Sequence, residues 1–219
     1  MSNLDPEFES GQDLKGSMKP YETIYAFILG GGRSLRANRD KAFLQYHGRY
    51  FIDIVIECVS SLFRGVSLVG RRYEHPGLDA HYSDDVEGTG PLGGILTALR
   101  RTDRDLNFFV GVDYPFIDRE VVAYLAERAL MHAPYGDGLI PVMPDGPHPL
   151  FAFYARSCLP AVERCISAQS YRVQCIAHHA RIRYHEITTA PRDLAIGRFE
   201  KNFVNINRYE DYLSLIHES

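Results

Sequence analysis

Residues 23–41 read Thr-Ile-Tyr-Ala-Phe-Ile-Leu-Gly-Gly-Gly-Arg-Ser-Leu-Arg-Ala-Asn-Arg-Asp-Lys, and this stretch decides the fold. Its apolar run, Thr23 to Ile28, predicts a buried parallel strand. Three glycines follow almost at once and remove every Cβ from the turn, so that backbone N–H groups can approach an anion closely. Three arginines and a lysine then occur within nine residues. Because a phosphate chain needs both fixed N–H dipoles and positive side chains, the stretch predicts a nucleotide-phosphate loop.

Two familiar phosphate loops do not fit this stretch. A P-loop requires Ser or Thr after its lysine, but Lys41 is followed by Ala42. A dinucleotide fingerprint that starts at Gly30 requires glycine at its sixth position, where this chain has Leu35. The second mismatch argues against a nicotinamide oxidoreductase.

The composition is that of one α/β domain with a core of its own. The chain has 219 residues, a net charge of −4 and a pI of about 6.1. A slightly negative net charge does not favour binding to nucleic acid or to an anionic membrane surface. No apolar run approaches the roughly 20 residues of a spanning helix, and we find no signal-peptide pattern. We therefore expect a cytoplasmic protein.

The amino-terminal segment differs from the rest of the chain in composition and periodicity. Residues 1–17 are polar, acidic and aperiodic, and Gly16-Ser17-Met18 resembles a vector junction. We predict a disordered expression leader over residues 1–17 and a single domain over residues 18–219. A genuine disordered arm is the alternative for the leader.

The cysteines and paired histidines do not show a metal-binding spacing. The four cysteines include no Cys-x2-Cys pair. Cys58 and Cys165 lie in apolar helical contexts, which predicts buried free thiols in a reducing compartment. The adjacent His178 and His179 point apart on a helix or strand, so a surface or structural role is predicted for them.

Apolar runs alternate with segments of helical spacing along the chain. The predicted strands are 23–28, 67–69, 81–82, 107–112, 138–142, 150–154 and 182–187, and the predicted helices are 50–63, 91–99, 119–130, 159–167, 173–178 and 209–217. Asp118 is predicted to cap the helix that follows it. The alternation predicts a three-layer α/β/α domain with a mostly parallel, mixed sheet, in which 150–154 is the antiparallel member.

Ligands of open α/β sheets lie beyond the carboxyl ends of the strands, so polar residues there are the candidates. They occur at Gly30 to Lys41, Gly70-Arg71, Asp84-Asp85, Gly90 to Gly94 and Asp113. Asp113 follows a continuous apolar run, and a carboxylate there suits Mg²⁺, which takes one or two carboxylates plus phosphates. The alternative is an aspartate that shapes the turn before the next helix. Gly90, Pro91 and Leu92 begin a helix whose N–H end can lie against a ligand.

The first loop resembles the signature of the MobA-like nucleotidyltransferases, Leu-Ala-Gly-Gly-x-Ser-x-Arg-Met-Gly-x-Asp-Lys. The matching residues are Leu29, Gly31, Gly32, Ser34, Arg36, Asp40 and Lys41. Later segments also match, namely Asp84, Gly90-Pro91-Leu92-Gly93-Gly94-Ile95, Val112-Asp113-Tyr114-Pro115-Phe116, Pro149-Leu150-Phe151-Ala152-Phe153-Tyr154 and Phe203-Val204-Asn205-Ile206-Asn207. There are three departures. Gly30 replaces Ala, Ala37-Asn38 replaces Met-Gly, and Gly70-Arg71 stands where the family often has an Asn that contacts the nucleoside.

The resemblance implies a Rossmann-like nucleotidyltransferase that joins the GMP part of GTP to the terminal phosphate of molybdopterin, with Mg²⁺ and release of pyrophosphate. It implies catalytic roles for Arg36, Lys41 and Asp113, with Asp113 as the metal ligand. The binding residues that it implies are Leu29, Gly30, Gly31, Gly32, Lys41, Gly70, Asp84, Gly90, Pro91 and Leu92 for the nucleotide, with Asn205 and Asn207 toward the pterin. Arg33, Arg39 and Arg71 are interpreted as auxiliary, solvated charges.

Two other functions remain as alternatives. The first is cytidylyl transfer to molybdopterin, or another nucleotidyl transfer. Cytidylyl relatives tend to carry Leu-Ala-Ala-Gly, whereas the glycines here leave room for a purine and favour GTP. The second is a non-catalytic nucleotide- or cofactor-binding module, which the altered loop tip favours and the retained Arg36, Lys41 and Asp113 oppose. Transient contacts with cofactor-biosynthesis proteins or acceptor molybdoenzymes are also expected.

Overall fold

The apolar run of the opening stretch forms β1 (Ile24–Leu29), which hydrogen-bonds to a parallel strand on each side. The computed structural model describes residues 19–31, 41–187, 196–206 and 209–217. The other strands are β2 (Gln45–Tyr46), β3 (Arg49–Tyr50), β4 (Val66–Val69), β5 (Ala80–Tyr82), β6 (Leu106–Gly111), β7 (Gly138–Met143), β8 (Gly146–Pro147), β9 (Phe151–Ala155) and β10 (Ile182–Glu186). The predicted leader lies outside these described residues.

The main sheet has the order β10-β7-β9-β6-β1-β4-β5, with β8 paired to β7. β9 runs antiparallel to both β6 and β7, which confirms the prediction for the segment 150–154. β1 is parallel to β4 and β6, and its last residue, Leu29, stands opposite Val69 and Gly111. Because of this register the carboxyl ends of three parallel strands meet at one edge. β2 and β3 form a separate hairpin.

Helices cover both faces of the sheet, which confirms the predicted three layers. The α-helices of the described residues are α1 (Phe51–Ser60), α2 (Pro91–Arg101), α3 (Arg119–His132), α4 (Leu159–Ser167), α5 (Ile196–Lys201) and α6 (Tyr209–His217), and a six-residue 3₁₀ helix covers Val173–His178. Alternate residues of β1 point to opposite faces. Ile24, Ala26 and Ile28 pack with α1 and α3, and Phe27 and Leu29 pack with α2 and α4. No helix in the described parts of the chain is both long and apolar enough to span a bilayer.

The predicted cap of α3 is confirmed. The Asp118 carboxylate accepts the N–H of Glu120 at 2.8 Å, which satisfies one of the free donors at the helix start. The N–H of Asp118 in turn donates to the side-chain oxygen of Asn202. This bond joins the start of α3 to the segment that precedes α6.

One cysteine prediction is wrong. Cys165 is fully buried, as expected, but it forms a disulfide with Cys175, and the Cα atoms of the pair are 6.0 Å apart. Its helical sequence context could not reveal this partner, because the two residues meet through the packing of α4 on the 3₁₀ helix. Cys58 and Cys158 are free thiols, and burial raises the pKa of each to about 12.

Candidate active site

The site begins where two glycine turns touch. Gly30 and Gly31 follow β1, and Gly70 follows β4 with a φ of +94°. A Cβ on Gly70 would lie 2.5 Å from both the Cα and the N of Gly31. The positive φ and this close approach together require glycine at position 70. The turns after β1 and β4 are therefore in contact through backbone atoms, without side chains between them. We call these three residues, Gly30, Gly31 and Gly70, the glycine cradle.

Asp84 lies against this cradle, as the sequence predicts. A Cβ on Gly31 would lie 3.2 Å from Asp84 Oδ2, and one on Gly94 would lie 3.6 Å from Oδ1. The carboxylate thus sits between the cradle and the first turn of α2. Burial, followed by the neighbouring charges of Asp85 and Glu87, raises the pKa of Asp84.

The neighbouring Asp85 has a different role. Its N–H donates to the Thr97 hydroxyl at 2.8 Å, and its carboxylate pairs with Arg101 at 2.8 Å and with Arg100 at 3.4 Å. These contacts tie Asp85 to α2. Of the two adjacent carboxylates, Asp84 is therefore the one that faces the cradle.

Arg71 is the residue that the sequence interpretation missed. Its Nε donates to the Gly30 carbonyl at 2.6 Å, and its guanidinium lies 5.9 Å from the centre of the Phe43 ring. A Cβ on Gly30 would lie 2.8 Å from Arg71 Nε and 3.0 Å from Leu68 Cδ1. The departures from the family pattern at positions 30 and 71 are thus linked, because Arg71 packs where a Cβ at position 30 would lie. The joint occurrence of Gly30 and Arg71 is the sequence signal that could have indicated this contact. Arg71 occupies the space that a side chain at position 30 would need.

Lys41 and Asp113 meet at the same edge of the sheet. The Lys41 ammonium lies 3.7 Å from Asp113 Oδ2, and the two side chains are 22% and 18% exposed. Burial raises the pKa of Asp113, and the positive charge of Lys41 opposes that rise. The Asp113 carbonyl also accepts the N–H of Ile206 at 2.9 Å. The structure thereby brings a predicted cation, a predicted metal ligand and the segment around Asn205 together.

The start of α2 has the predicted form. Gly90 precedes the helix with a φ of +61°, and Pro91 occupies its first position. The side chains of Leu92 and Leu29 are buried in the core on the α2 face. These two residues can therefore offer a ligand their backbone but not their side chains.

A cleft of about 870 Å³ is lined by the segment around Asn205, including Ile206, whose N–H donates to the Asp113 carbonyl. Its lining includes Tyr46, Phe116, Lys201 and Asn205. The Lys201 ammonium lies 4.4 Å from the centre of the Phe116 ring, a cation–π contact. No sequence motif singled out Lys201. The predicted roles of Gly32, Arg36 and Asn207 fall on residues outside the described parts of the chain.

A mixed sheet with helices on both faces and glycine turns at its carboxyl edge defines a Rossmann-like nucleotide-binding protein. The family model described as the MobA-like NTP transferase domain matches residues 26–182. This chain belongs to that family of nucleotidyltransferases.

Proteins of several organisms support this membership. The protein of Clostridium perfringens named "Probable molybdenum cofactor guanylyltransferase" is 32% identical over 198 residues, which cover 87% of this chain and 95% of that protein. A Bacillus subtilis protein of the same name is 28% identical and covers 88% of this chain and 94% of its own length.

Solved structures share the fold. Molybdopterin-guanine dinucleotide biosynthesis protein A from Archaeoglobus fulgidus superposes with a TM-score of 0.73 at 24% identity, over 89% of this chain and 97% of that one. The 2-C-methyl-D-erythritol 4-phosphate cytidylyltransferase of Thermus thermophilus superposes with a TM-score of 0.61 at 14% identity, over 88% and 96%. The same fold therefore occurs in proteins named for different nucleotides.

Proposed function

We propose that this chain transfers GMP from GTP to the terminal phosphate of molybdopterin, releases pyrophosphate and forms the guanine dinucleotide cofactor. The observation that carries this proposal is the Lys41–Asp113 pair, 3.7 Å apart. Asp113 follows β6, which pairs with β1, the strand before the glycine turn, and its carbonyl accepts the N–H of Ile206, which lines the cleft. A transferase needs such charges between its two substrates. The names of the relatives supply the identity of the two substrates.

The nucleotide half of the site consists of the glycine cradle, Asp84 and the start of α2. We assign the phosphates to the turn after β1 and to Lys41, and the nucleoside to the side of Gly70 and Asp84. Arg36 is assigned to the triphosphate from the sequence resemblance alone. The preference for GTP over CTP depends on the relatives' names and on Gly31, the position at which cytidylyl relatives tend to have alanine.

The donor set at Asp113 fits a hard divalent cation. Asp113 offers one carboxylate at the end of a buried strand. Burial disfavours its negative charge, and Lys41 stabilises it. Such a carboxylate suits Mg²⁺, which takes one or two carboxylates and completes its shell with phosphates and water. Asp113 is the residue that would hold Mg²⁺, and bound Mg²⁺ would neutralise charge that develops on the α-phosphate and on the departing pyrophosphate.

The residues of this chain perform the remaining steps by positioning. An acceptor phosphate is largely ionised at pH 7, so its oxygen can attack the α-phosphorus without a general base. The bond from that phosphorus to the bridging oxygen breaks, and pyrophosphate leaves with the electron pair. Lys41 places an ammonium beside the carboxylate, where it can bind phosphate oxygens during this step. We assign the acceptor to the cleft, with its phosphate toward Asp113 and Asn205.

The direct test is a reconstituted assay with GTP, CTP or ATP, molybdopterin and Mg²⁺, in which pyrophosphate release is measured. Release with GTP alone supports guanylyl transfer, whereas release with CTP supports the cytidylyl alternative. Thermal unfolding with each nucleotide separates binding from turnover, because a ligand at 100 times its Kd stabilises by about 2.7 kcal/mol. A shift without pyrophosphate release would favour the non-catalytic binding module.

Gly30 and Arg71 should behave as one unit in nucleotide binding. Gly30→Ala places a methyl group in the space of Arg71, and Arg71→Asn removes the bond to the Gly30 carbonyl, so each should weaken GTP binding about five- to tenfold. The double variant should lose less than the two single losses combined, by a coupling of about 1 kcal/mol. GTP titration of the four proteins measures this coupling. Arg72→Asn is the control, since Arg72 is 75% exposed and pairs with Glu74, and strictly additive losses would contradict the prediction.

Lys201 should contribute to acceptor binding. Its ammonium is held over Phe116 in the acceptor cleft, where a pterin phosphate would meet it. Lys201→Met should raise the KM for molybdopterin about tenfold, with kcat and the KM for GTP nearly unchanged, and Lys201→Arg should retain most of the affinity. Steady-state kinetics with each substrate varied in turn checks the prediction. A change confined to the KM for GTP would show that the cleft was assigned to the wrong substrate.

A further inference from the structure

A second cluster of chemically reactive side chains lies on the α4 side of the sheet, among residues that the proposed reaction does not use. One sulfur from Cys165, one from Cys175 and one ring nitrogen of His179 all lie within 4.8 Å of one another. Cys165 is fully buried, Cys175 is half-buried and His179 is exposed. These are the residue types that bind soft divalent ions.

The local fold explains why the three side chains converge. After α4 the chain reverses at Gln169, which has a φ of +57°, and the N–H of Ser170 donates to the Cys165 carbonyl at 2.9 Å. The 3₁₀ helix then returns along α4, since its apolar residues Val173 and Ile176 are buried in the same cluster as Cys165. This packing aims Cys175 at Cys165.

His179 is held by the same turn. It ends the 3₁₀ helix, and its N–H donates to the Ile176 carbonyl at 3.0 Å. It lies four residues after Cys175, as the carboxyl cap of the 3₁₀ helix with a φ of −129°, and one of its ring nitrogens lies within 4.8 Å of both sulfurs. The sequence prediction for the adjacent histidines considered them as a pair with each other. The structure instead associates one of them with two cysteines.

We propose that the reduced chain binds one Zn²⁺ ion through Cys165, Cys175 and His179, with water in the fourth position. In a tetrahedral site with Zn–S near 2.3 Å and Zn–N near 2.0 Å, the ligand atoms lie about 3.5–3.8 Å apart. The three atoms lie within 4.8 Å of one another, and the two sulfurs, which are bonded in the disulfide, move apart to this distance after reduction. Of the three ligands, Cys175 lines a cavity of about 670 Å³, together with Arg172 and His178 among others, and His179 is exposed, so that an ion and a water can approach from this side. Three protein ligands and one open position are typical of a zinc site that can bind a further ligand.

The disulfide and the zinc site exclude each other, because both use the same two sulfurs. Reduction by a phosphine and one water breaks the S–S bond and yields two thiols: the phosphine gives two electrons and takes the oxygen of the water as its oxide, and the two protons of the water go to the sulfurs. Zinc then displaces the thiol protons.

The experiment is zinc titration of the full chain after reduction with a phosphine and removal of metal by a chelator, with a chromogenic chelator as competitor. We expect one Zn²⁺ per reduced chain, at least about a tenfold loss of affinity in His179→Gln, and a similar or larger loss in Cys175→Ser. The matched controls are His178→Gln and Cys58→Ser, which should bind as the parent protein does. The oxidised chain should bind no zinc at this site.

Three results would overturn the proposal. They are the absence of zinc binding by the reduced parent protein, equal affinity in the His179 and His178 variants, and retention of the ion by the oxidised chain. His179 is exposed, so its variant is expected to fold, and an unchanged thermal midpoint without metal checks this. Replacement of zinc by cobalt gives a second readout, because thiolate ligation adds a charge-transfer absorption that the Cys175 variant should weaken.

Discussion

Asp113→Asn should lower the turnover of guanylyl transfer by about 100- to 1,000-fold, the usual cost of losing a charge that stabilises a transition state. The substitution keeps the size and shape of the side chain but removes its negative charge. It also leaves intact the main-chain bond from Ile206 to the Asp113 carbonyl. The loss should therefore fall on kcat, with little change in the affinity for molybdopterin.

The stability of the same variant separates catalysis from folding. Burial raises the pKa of Asp113, so the charged form is less favourable in the folded chain than in the unfolded one. At pH 7 such a group lowers the free energy of unfolding, and its neutral replacement should leave that free energy unchanged or higher. Pyrophosphate release and urea unfolding of the same preparation test both statements.

Asp103→Asn is the matched control, since the Asp103 side chain is 83% exposed. It should change neither turnover nor stability. If Asp113→Asn retained the parent turnover, the assignment of Asp113 to metal binding would be wrong. If it lost turnover but also unfolded in less urea, the loss could be attributed to folding.

Gly70→Ala should be the most damaging substitution in the nucleotide half. An alanine at a φ of +94° is strained, and its Cβ would lie 2.5 Å from the backbone of Gly31. We expect a loss of roughly 2–4 kcal/mol of unfolding free energy, from strain of about 1–3 kcal/mol and the displacement of one strand end. The affinity for GTP should fall as well, because the turns at Gly31 and Gly70 could no longer pack against each other.

Gly48→Ala separates the two causes. Gly48 also has a positive φ, +76°, but a Cβ there would meet nothing within 4 Å. It should therefore show the backbone strain alone, with GTP affinity unchanged. Urea unfolding and GTP titration of both variants provide the comparison. Equal losses of stability, with GTP affinity retained in both, would contradict the close packing of Gly70 on Gly31.

Local patterns predicted most of the fold. β1 is buried on both faces because its residues are apolar throughout, and periodicity detects that without any tertiary information. The Asp118 cap and the proline at the start of α2 depend on the chemistry of the nearest residues, and both were predictable. The antiparallel direction of β9 was also predicted. The strand order of the sheet was not, because it depends on pairings between distant segments.

Some residues of the candidate site were likewise predictable from local sequence, and others were not. Gly31, Asp84, Lys41 and Asp113 were predictable because each stands at the end of a strand or matches the family pattern. The prediction that Arg71 is a solvated charge is wrong, because nothing in its immediate sequence shows that it bonds to Gly30. Lys201 was not singled out, because its contact with Phe116 joins two segments far apart in the chain.

The amino-acid sequence by itself determined the layered α/β class and the family, and it predicts that the first loop binds phosphate. These properties depend on residue types at short, fixed spacings. The tertiary structure alone decided the bond of Arg71 to Gly30, the approach of Gly70 to Gly31 and the convergence of Cys165, Cys175 and His179. The physical reason is that each of these contacts joins separate turns or elements, whose relative positions follow from the packing of helices on the sheet and not from local sequence.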